Sequence, residues 1–163
     1  MSGQVFHTFD PVYDARSRIL IVGSMASVQS RRAGFYYGNP RNRFYDVLSG
    51  LLGVEKPQTT AQKIEMLLQN RIAIYDVLAA CEIKGSADSS IKNAAPHDFT
   101  PIFRTARIRR VFANGRAAYQ YYRKFIDEDV TALPSTSPAN AAYKLTRLRS
   151  EWSAILDFLN GKG

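Results

Sequence analysis

Four short apolar runs, Ile19–Gly23, Ile72–Val77, Ile108–Ala113 and Val130–Leu133, limit what this chain can fold into. Each is rich in β-branched or aromatic residues and stops at a polar or glycine-bearing turn, as buried strands do. Between them, apolar residues recur at helical spacing. Asn42–Leu52 places Phe44, Val47, Leu48, Leu51 and Leu52 on one face, and Thr60–Gln69 follows a Thr cap with Ile64, Leu67 and Leu68. Phe99–Ala106, with Asp98 as its cap, is a shorter candidate, and Arg116–Ile126 follows Gly115. The last, about Ala139–Leu159, repeats Leu145, Leu148, Trp152, Ile155, Leu156 and Leu159. Strands alternating with helices predict an α/β fold with a mainly parallel, four-stranded sheet covered on both faces. Right-handed crossovers gather the strand C-terminal ends on one rim, where ligands bind in such sheets. A length of 163 residues fits a single domain, 1–163.

Composition narrows the function classes. No run of about 18 apolar residues is present, so no membrane span is expected. The first residues, Met1-Ser2-Gly3-Gln4-Val5, lack the regions of a signal peptide. One cysteine, Cys81, excludes an internal disulfide and an iron–sulfur cluster, and His7 and His97 lie too far apart in sequence for zinc spacing. No cofactor and no metal are expected, and the expected compartment is a reducing cytoplasm. The net charge of +8 favours a polyanionic partner. It is segregated along the chain. Residues 15–54 carry Arg16, Arg18, Arg31, Arg32, Arg41 and Arg43 against Asp46 alone, and residues 130–150 carry Lys144, Arg147 and Arg149 with no acid.

The segment Gly34-Phe35-Tyr36-Tyr37-Gly38-Asn39-Pro40-Arg41-Asn42-Arg43-Phe44 follows the first strand. Cations, amides and rings without an acid suit a loop that grips an anionic chain and stacks on a flat ring. Asn42 either caps the next helix or orients a water or base edge; Phe44, Tyr36 and Tyr37 are either core or stacking rings. Leu133-Pro134-Ser135-Thr136-Ser137-Pro138-Ala139-Asn140 carries a Ser137–Pro138 pair fit to open a helix, and small hydroxyl residues there also suit a phosphate. Asp76, in Tyr75-Asp76-Val77, caps a turn or reads a donor in a cleft. Gly85–Asn93 is a polar loop whose hydroxyls and Lys92 suit backbone contacts, and Asn114, in an Asn-Gly turn, is a minor candidate. There is no phosphate-binding glycine–lysine loop and no dinucleotide fingerprint. No Ser–His–Asp set or paired metal-binding carboxylates stand out either. What is left is chemistry that needs a held base and a positioned water.

Together these motifs, with Ile-Val-Gly-Ser-Met-Ala-Ser at 21–27 and Phe-Ala-Asn-Gly at 112–115, resemble the hypoxanthine-DNA glycosylase family, a branch of the uracil-DNA glycosylase superfamily. The resemblance spans most of the chain in matching order. It implies a three-layer α/β/α domain and a monofunctional glycosylase that cuts the bond between a deaminated base and deoxyribose. It makes Asn42 catalytic and Phe44 the ring that stacks on the base, with Asp76 reading the base edge. Tyr37, Gly23, Ser24 and Met25 complete the base pocket. Ser135, Thr136, Ser137, Pro138, Ala139 and Asn140 contact the strand around the flipped nucleotide, with Arg41, Arg43 and Lys144 on the backbone. Departures from the wider superfamily are Ser24-Met25-Ala26 where an acid or amide is usual, Ser135 where a His often stands, and Tyr45 where Trp is frequent. The partner implied is double-stranded or single-stranded DNA holding a deaminated base, met by a monomer near the nucleoid.

The expected mechanism begins with extrusion, because a base inside a duplex is unreachable and a badly paired one leaves the stack more cheaply. Cleavage then passes through an oxocarbenium-like sugar, with the Asn42 carbonyl orienting the water. Rival expectations are a uracil or mismatch glycosylase of the same fold, and an inactive DNA-binding module.

Overall fold

The computed structural model describes residues 3–159. In chain order these form β1 (Gly3–Phe6), β2 (Ile19–Gly23), α1 (Val28–Ala33), α2 (Phe44–Leu52), α3 (Thr60–Gln69), β3 (Ile72–Asp76), β4 (Leu78–Ile83) and β5 (Lys92–Pro96). There follow α4 (Thr100–Thr105), β6 (Arg110–Asn114), α5 (Arg116–Phe125), β7 (Thr131–Leu133), α6 (Leu145–Trp152) and α7 (Leu156–Leu159).

The expected four-stranded sheet is present, parallel throughout, in the order β3-β2-β6-β7. All of β2 is buried, as befits a parallel strand covered on both faces. Strand alternation sorts its side chains into two cores. Ile19, Ile21, Ile72, Ile74 and Phe112 pack with Phe44, Leu48, Leu67, Leu148 and Trp152 of α2, α3 and α6. Leu20, Val22, Ala73, Val111 and Ala113 pack with Ile102, Ala118 and Tyr122 of α4 and α5. The layers are therefore α/β/α. Thr59 caps α3 with the Gln62 capping box, and Gly115, at φ 94°, turns the chain from β6 into α5.

The sequence reading missed a second sheet. β1, β4 and β5 pair antiparallel in the order β1-β4-β5, and β4 leaves β3 after a single residue. Its sequence, Leu-Ala-Ala-Cys-Glu-Ile, has little β-propensity, so its pairing comes from the tertiary context. Helix α1 was also missed; it is short, capped by Ser27 and closed by Gly34 at φ 71°.

The last helix begins at Leu145, not near Ala139. Ser137 and Pro138 therefore open no helix. Ser137 Oγ accepts from the Ala139 N–H at 3.1 Å inside a turn, and the chain then runs irregularly to Lys144. The carbonyls that would begin a helical ladder go to Arg43 instead: its guanidinium donates to Ser137 O at 2.7 Å, to Asn140 O at 3.1 Å and to Tyr143 O.

Candidate active site

The C-terminal rim of the parallel sheet encloses a hollow of about 130 Å³. Gly23 to Ser27 reach it from the end of β2, Asp76 from β3, Asn114 from β6 and Ser135 to Pro138 from beyond β7. Tyr37, Asn39 and Asn42 close one side, Ser86 and Asp88 another. The four strand ends thus converge as the alternating pattern predicts. A wider groove of about 1110 Å³ adjoins the hollow and shares Ser86, Asp88, Ser135 and Ser137 with it. Arg116, Tyr119 and Arg123 of α5 line its far wall, with Ala139, Asn140 and Tyr143.

Asn42 lines the hollow, held by its oxygen. Oδ1 accepts from the Phe44 N–H at 2.9 Å and from Thr136 Oγ1 at 2.7 Å. A backbone N–H can only donate, so the atom facing it is the oxygen, and both its lone pairs are taken. This corrects the expectation that the carbonyl orients a water. The free group is Nδ2, which makes no protein hydrogen bond among the described residues. The capping reading of Asn42 is partly met as well, since Phe44 opens α2. Thr136 is completely buried. Its hydroxyl accepts from Asn114 Nδ2 at 3.0 Å, and its own N–H donates to Asn114 Oδ1 at 3.0 Å. A chain of amide, hydroxyl and amide therefore spans the rim from β6 to α2.

Phe44 stands elsewhere than expected. It is 0% exposed, belongs to the core and does not line the hollow. Tyr37 takes that place, its ring stacked on Phe44 with centroids 4.0 Å apart and an interplanar angle of 20°. Tyr37 adopts φ 54°, unusual for a bulky residue and a mark of local constraint. Its hydroxyl is buried with no partner; Asn114 is nearby but forms no hydrogen bond of good geometry with it. Burial, and after it the charge of Asp76, push the phenol well above its usual range, so the O–H is retained as a donor. Tyr36 is core, its hydroxyl on Asp10 O.

Gly23 has a steric reason: a Cβ there would overlap Asp76 Oδ1. Asp76 is 4% exposed, and its other oxygen lies 2.8 Å from His7 Nε2. His7 and His97, distant in sequence, touch ring to ring at 4.7 Å. Ser24 Oγ donates to Asp88 Oδ1 at 2.7 Å, tying the Gly85–Asn93 loop to the rim. Arg31 braces the same junction through Ala26 O and Gly85 O.

The basic residues divide. Arg41 and Lys144 are exposed. Arg43, expected on a phosphate, is instead a clamp on the backbone of the 136–143 segment, including Thr136 O at 3.4 Å. Met25, Ser135, Ser137 and Pro138 line the hollow; Ala139 and Asn140 line only the groove. Sequence reasoning missed Asn39, Ser27 and Ser30 at the hollow, His7 behind it against Asp76, and the cations of α5 at the groove. Asn39 lies inside the aromatic loop and was legible there. His7 carried no signal, because only the pairing of β1 with β4 brings it in.

A family profile described as the uracil DNA glycosylase superfamily matches residues 11–159. A hypoxanthine DNA glycosylase of Methanosarcina acetivorans is 36% identical over 152 residues, covering 90% of this chain and 95% of its own. One of Methanosarcina barkeri is 30% identical over 149 residues, covering 89% and 94%. The solution NMR structure of a protein described as a putative uracil DNA glycosylase from Methanosarcina acetivorans superposes with a TM-score of 0.80 at 33% identity, covering 94% of this chain and 97% of that one. The profile takes in nearly every element from β2 to α7, the strand ends and the Asn42 loop among them, and on that ground this chain belongs to the uracil DNA glycosylase superfamily.

Proposed function

We propose that this chain removes hypoxanthine from deoxyinosine in DNA by hydrolysing the N-glycosidic bond. The observation that carries the reading is the Asn42–Thr136–Asn114 network: it aims a free amide donor into a hollow at the strand ends, beside a groove whose α5 wall presents Arg116 and Arg123. Two relatives that match over nine-tenths of their length bear the name hypoxanthine DNA glycosylase. The hollow and the groove are both made by one chain, so the site needs no second copy. No helix among the described residues is long and apolar enough to cross a membrane.

In this reading the duplex lies along the groove, Arg116, Arg123, Arg41 and Lys144 hold phosphates, and the damaged nucleotide swings into the hollow. Tyr37 takes the stacking position that the resemblance gave to Phe44, and Phe44 backs it. Asp76 reads a donor on the base edge. The C1′–N9 bond breaks with its electron pair passing to the base, water adds to C1′, and the proton that water loses neutralises the departed base. The products are free hypoxanthine and an abasic sugar. Asn42 acts through Nδ2, donating to the negative charge that develops on the departing base, where a preorganised donor is worth most.

Substitution at Asn42 tests both the role and the atom. Asn42→Ala lowers single-turnover excision by about tenfold or more, with DNA affinity nearly unchanged. Asn42→Asp keeps the acceptor for Phe44 N–H and Thr136 but removes the donor, so it is at least as slow. An active Asn42→Asp returns the role to the oxygen, and undiminished Asn42→Ala removes Asn42 from the chemistry. A duplex panel carrying single hypoxanthine, uracil, xanthine or ethenocytosine gives the substrate. Uracil released faster than hypoxanthine overturns the assignment.

A further inference from the structure

Behind Asp76 lies a buried histidine, His7, that the base-reading role of Asp76 leaves without a part. β1 pairs with β4, and the bond from His7 N–H to Ala79 O at 2.8 Å carries the imidazole under the rim. The side chain of His7 is fully buried and that of Asp76 is 6% exposed. Nε2 lies 2.8 Å from Asp76 Oδ2, whereas Nδ1 meets no partner. Phe9, Tyr36, Tyr75 and His97 surround the ring. Asp76 Oδ1 makes no hydrogen bond among the described residues and lies against Gly23, on the wall of the hollow. No Lys or Arg forms an ion pair with Asp76 among the described residues.

That single bond selects a tautomer. If Nε2 carries the proton of a neutral ring, only the Nδ1 lone pair is left unmet. If Asp76 donates to Nε2, or if the ring is protonated twice, a buried Nδ1–H is left unmet instead. Buried N–H groups without a partner are rarer and dearer than unmet lone pairs. The arrangement of lowest cost is an Nε2–H donor on an ionised carboxylate.

We propose that His7 is a positioning residue that holds Asp76 as an acceptor-only carboxylate, so that the hollow selects bases with a ring N–H beside a carbonyl. The inference rests on the reading of the hollow as a base pocket and adds the basis of its selectivity. Deamination of adenine turns N1 from an acceptor into an N–H donor and replaces the exocyclic amine by a carbonyl. A carboxylate at that edge gains a charge-assisted hydrogen bond from hypoxanthine and meets a lone pair on adenine. The same switch at N3 separates uracil from cytosine.

The test compares single-turnover rates on duplexes carrying hypoxanthine or unsubstituted purine, which lacks both the N1 proton and the carbonyl. His7→Phe, with a native melt, lowers hypoxanthine excision by about tenfold and lowers the hypoxanthine-to-purine ratio with it. His7→Gln, which restores an N–H donor, stays within about threefold of the parent. In an Asp76→Asn background, His7→Phe adds less than about twofold. Equal losses on both substrates, or a His7→Gln as slow as His7→Phe, overturn the role of His7. A parental rate and ratio in Asp76→Asn instead overturns Asp76 as base reader, and the base-pocket reading with it. Should His7→Phe not fold, ¹⁵N NMR of the unmodified protein decides: the proton is expected on Nε2 of His7, and a proton on Nδ1 overturns the proposal.

Discussion

Asn42 shows how little a side chain's identity says about which of its atoms works. Its oxygen is fixed by Phe44 N–H and Thr136 Oγ1, and so its nitrogen is the group left for a ligand. Thr136 governs that orientation from 94 residues away. Thr136→Val keeps the shape, deletes the donor to Asn42 and leaves Asn114 Nδ2 without its acceptor. It should cost about 1–3 kcal/mol of stability. Excision falls by about tenfold while DNA affinity holds, because the amide can then rotate away from its working pose. Thermal melts and single-turnover kinetics together check this. An unchanged rate with a lowered melt makes Thr136 a packing residue only. The aromatic loop was legible as a segment apt to line a cleft, and Tyr37, Asn39 and Asn42 do line the hollow. The working atom was not legible, because Thr136 and Asn114 approach it only through tertiary contact. Phe44 was misjudged for a related reason: a ring at helical spacing from Leu48 fits core and stacking equally, and the intervening Tyr37 decides between them.

At the scale of elements, the segment between β7 and α6 is irregular because a side chain holds its carbonyls. Ala139 and Ala141 to Ala142 have helical propensity, and helical spacing extends the last helix back to them. Arg43 overrides that preference with a rigid fork of donors reaching Thr136, Ser137, Asn140 and Tyr143. The clamp also joins the residue after Asn42 to the residues around Thr136, so it fixes both halves of the hollow together. Arg43→Lys has one ammonium for these acceptors. It should destabilise the protein by about 1.5–3 kcal/mol. Amide exchange should accelerate between residues 134 and 144 and leave β2, β3 and β6 protected. Uniform acceleration across the parallel sheet would show that the clamp supports the whole fold rather than this segment. The parallel strands were readable because each falls in a short, mainly apolar run with β-branched or aromatic residues. β1, β4 and β5 were not, because Gly, Ala, Lys, Asn and Pro break up their apolar residues and their strand character comes from pairing with one another.

Over the whole molecule the same distinction applies to charge. The net charge of +8 is segregated by segment, but several of its arginines are held on the protein's own backbone. Arg18, Arg31, Arg43, Arg109 and Arg149 all give guanidinium N–H groups to backbone carbonyls. Segment counting could not tell these clamps from surface cations. Under the proposed function, the side chains that meet phosphates are those along the groove, Arg116 and Arg123 first. Each phosphate contact on duplex DNA contributes about 0.9 to the slope of log affinity against log salt. The double substitution Arg116→Ala and Arg123→Ala should therefore flatten that slope by about 2, with the rate on bound substrate nearly intact. Arg43→Lys should leave the slope unchanged while lowering the melt. Titrating labelled duplex at several salt concentrations measures all three proteins. A slope that ignores the groove pair and responds to Arg43 would put the DNA on a different face, and the hollow could no longer receive a base from it.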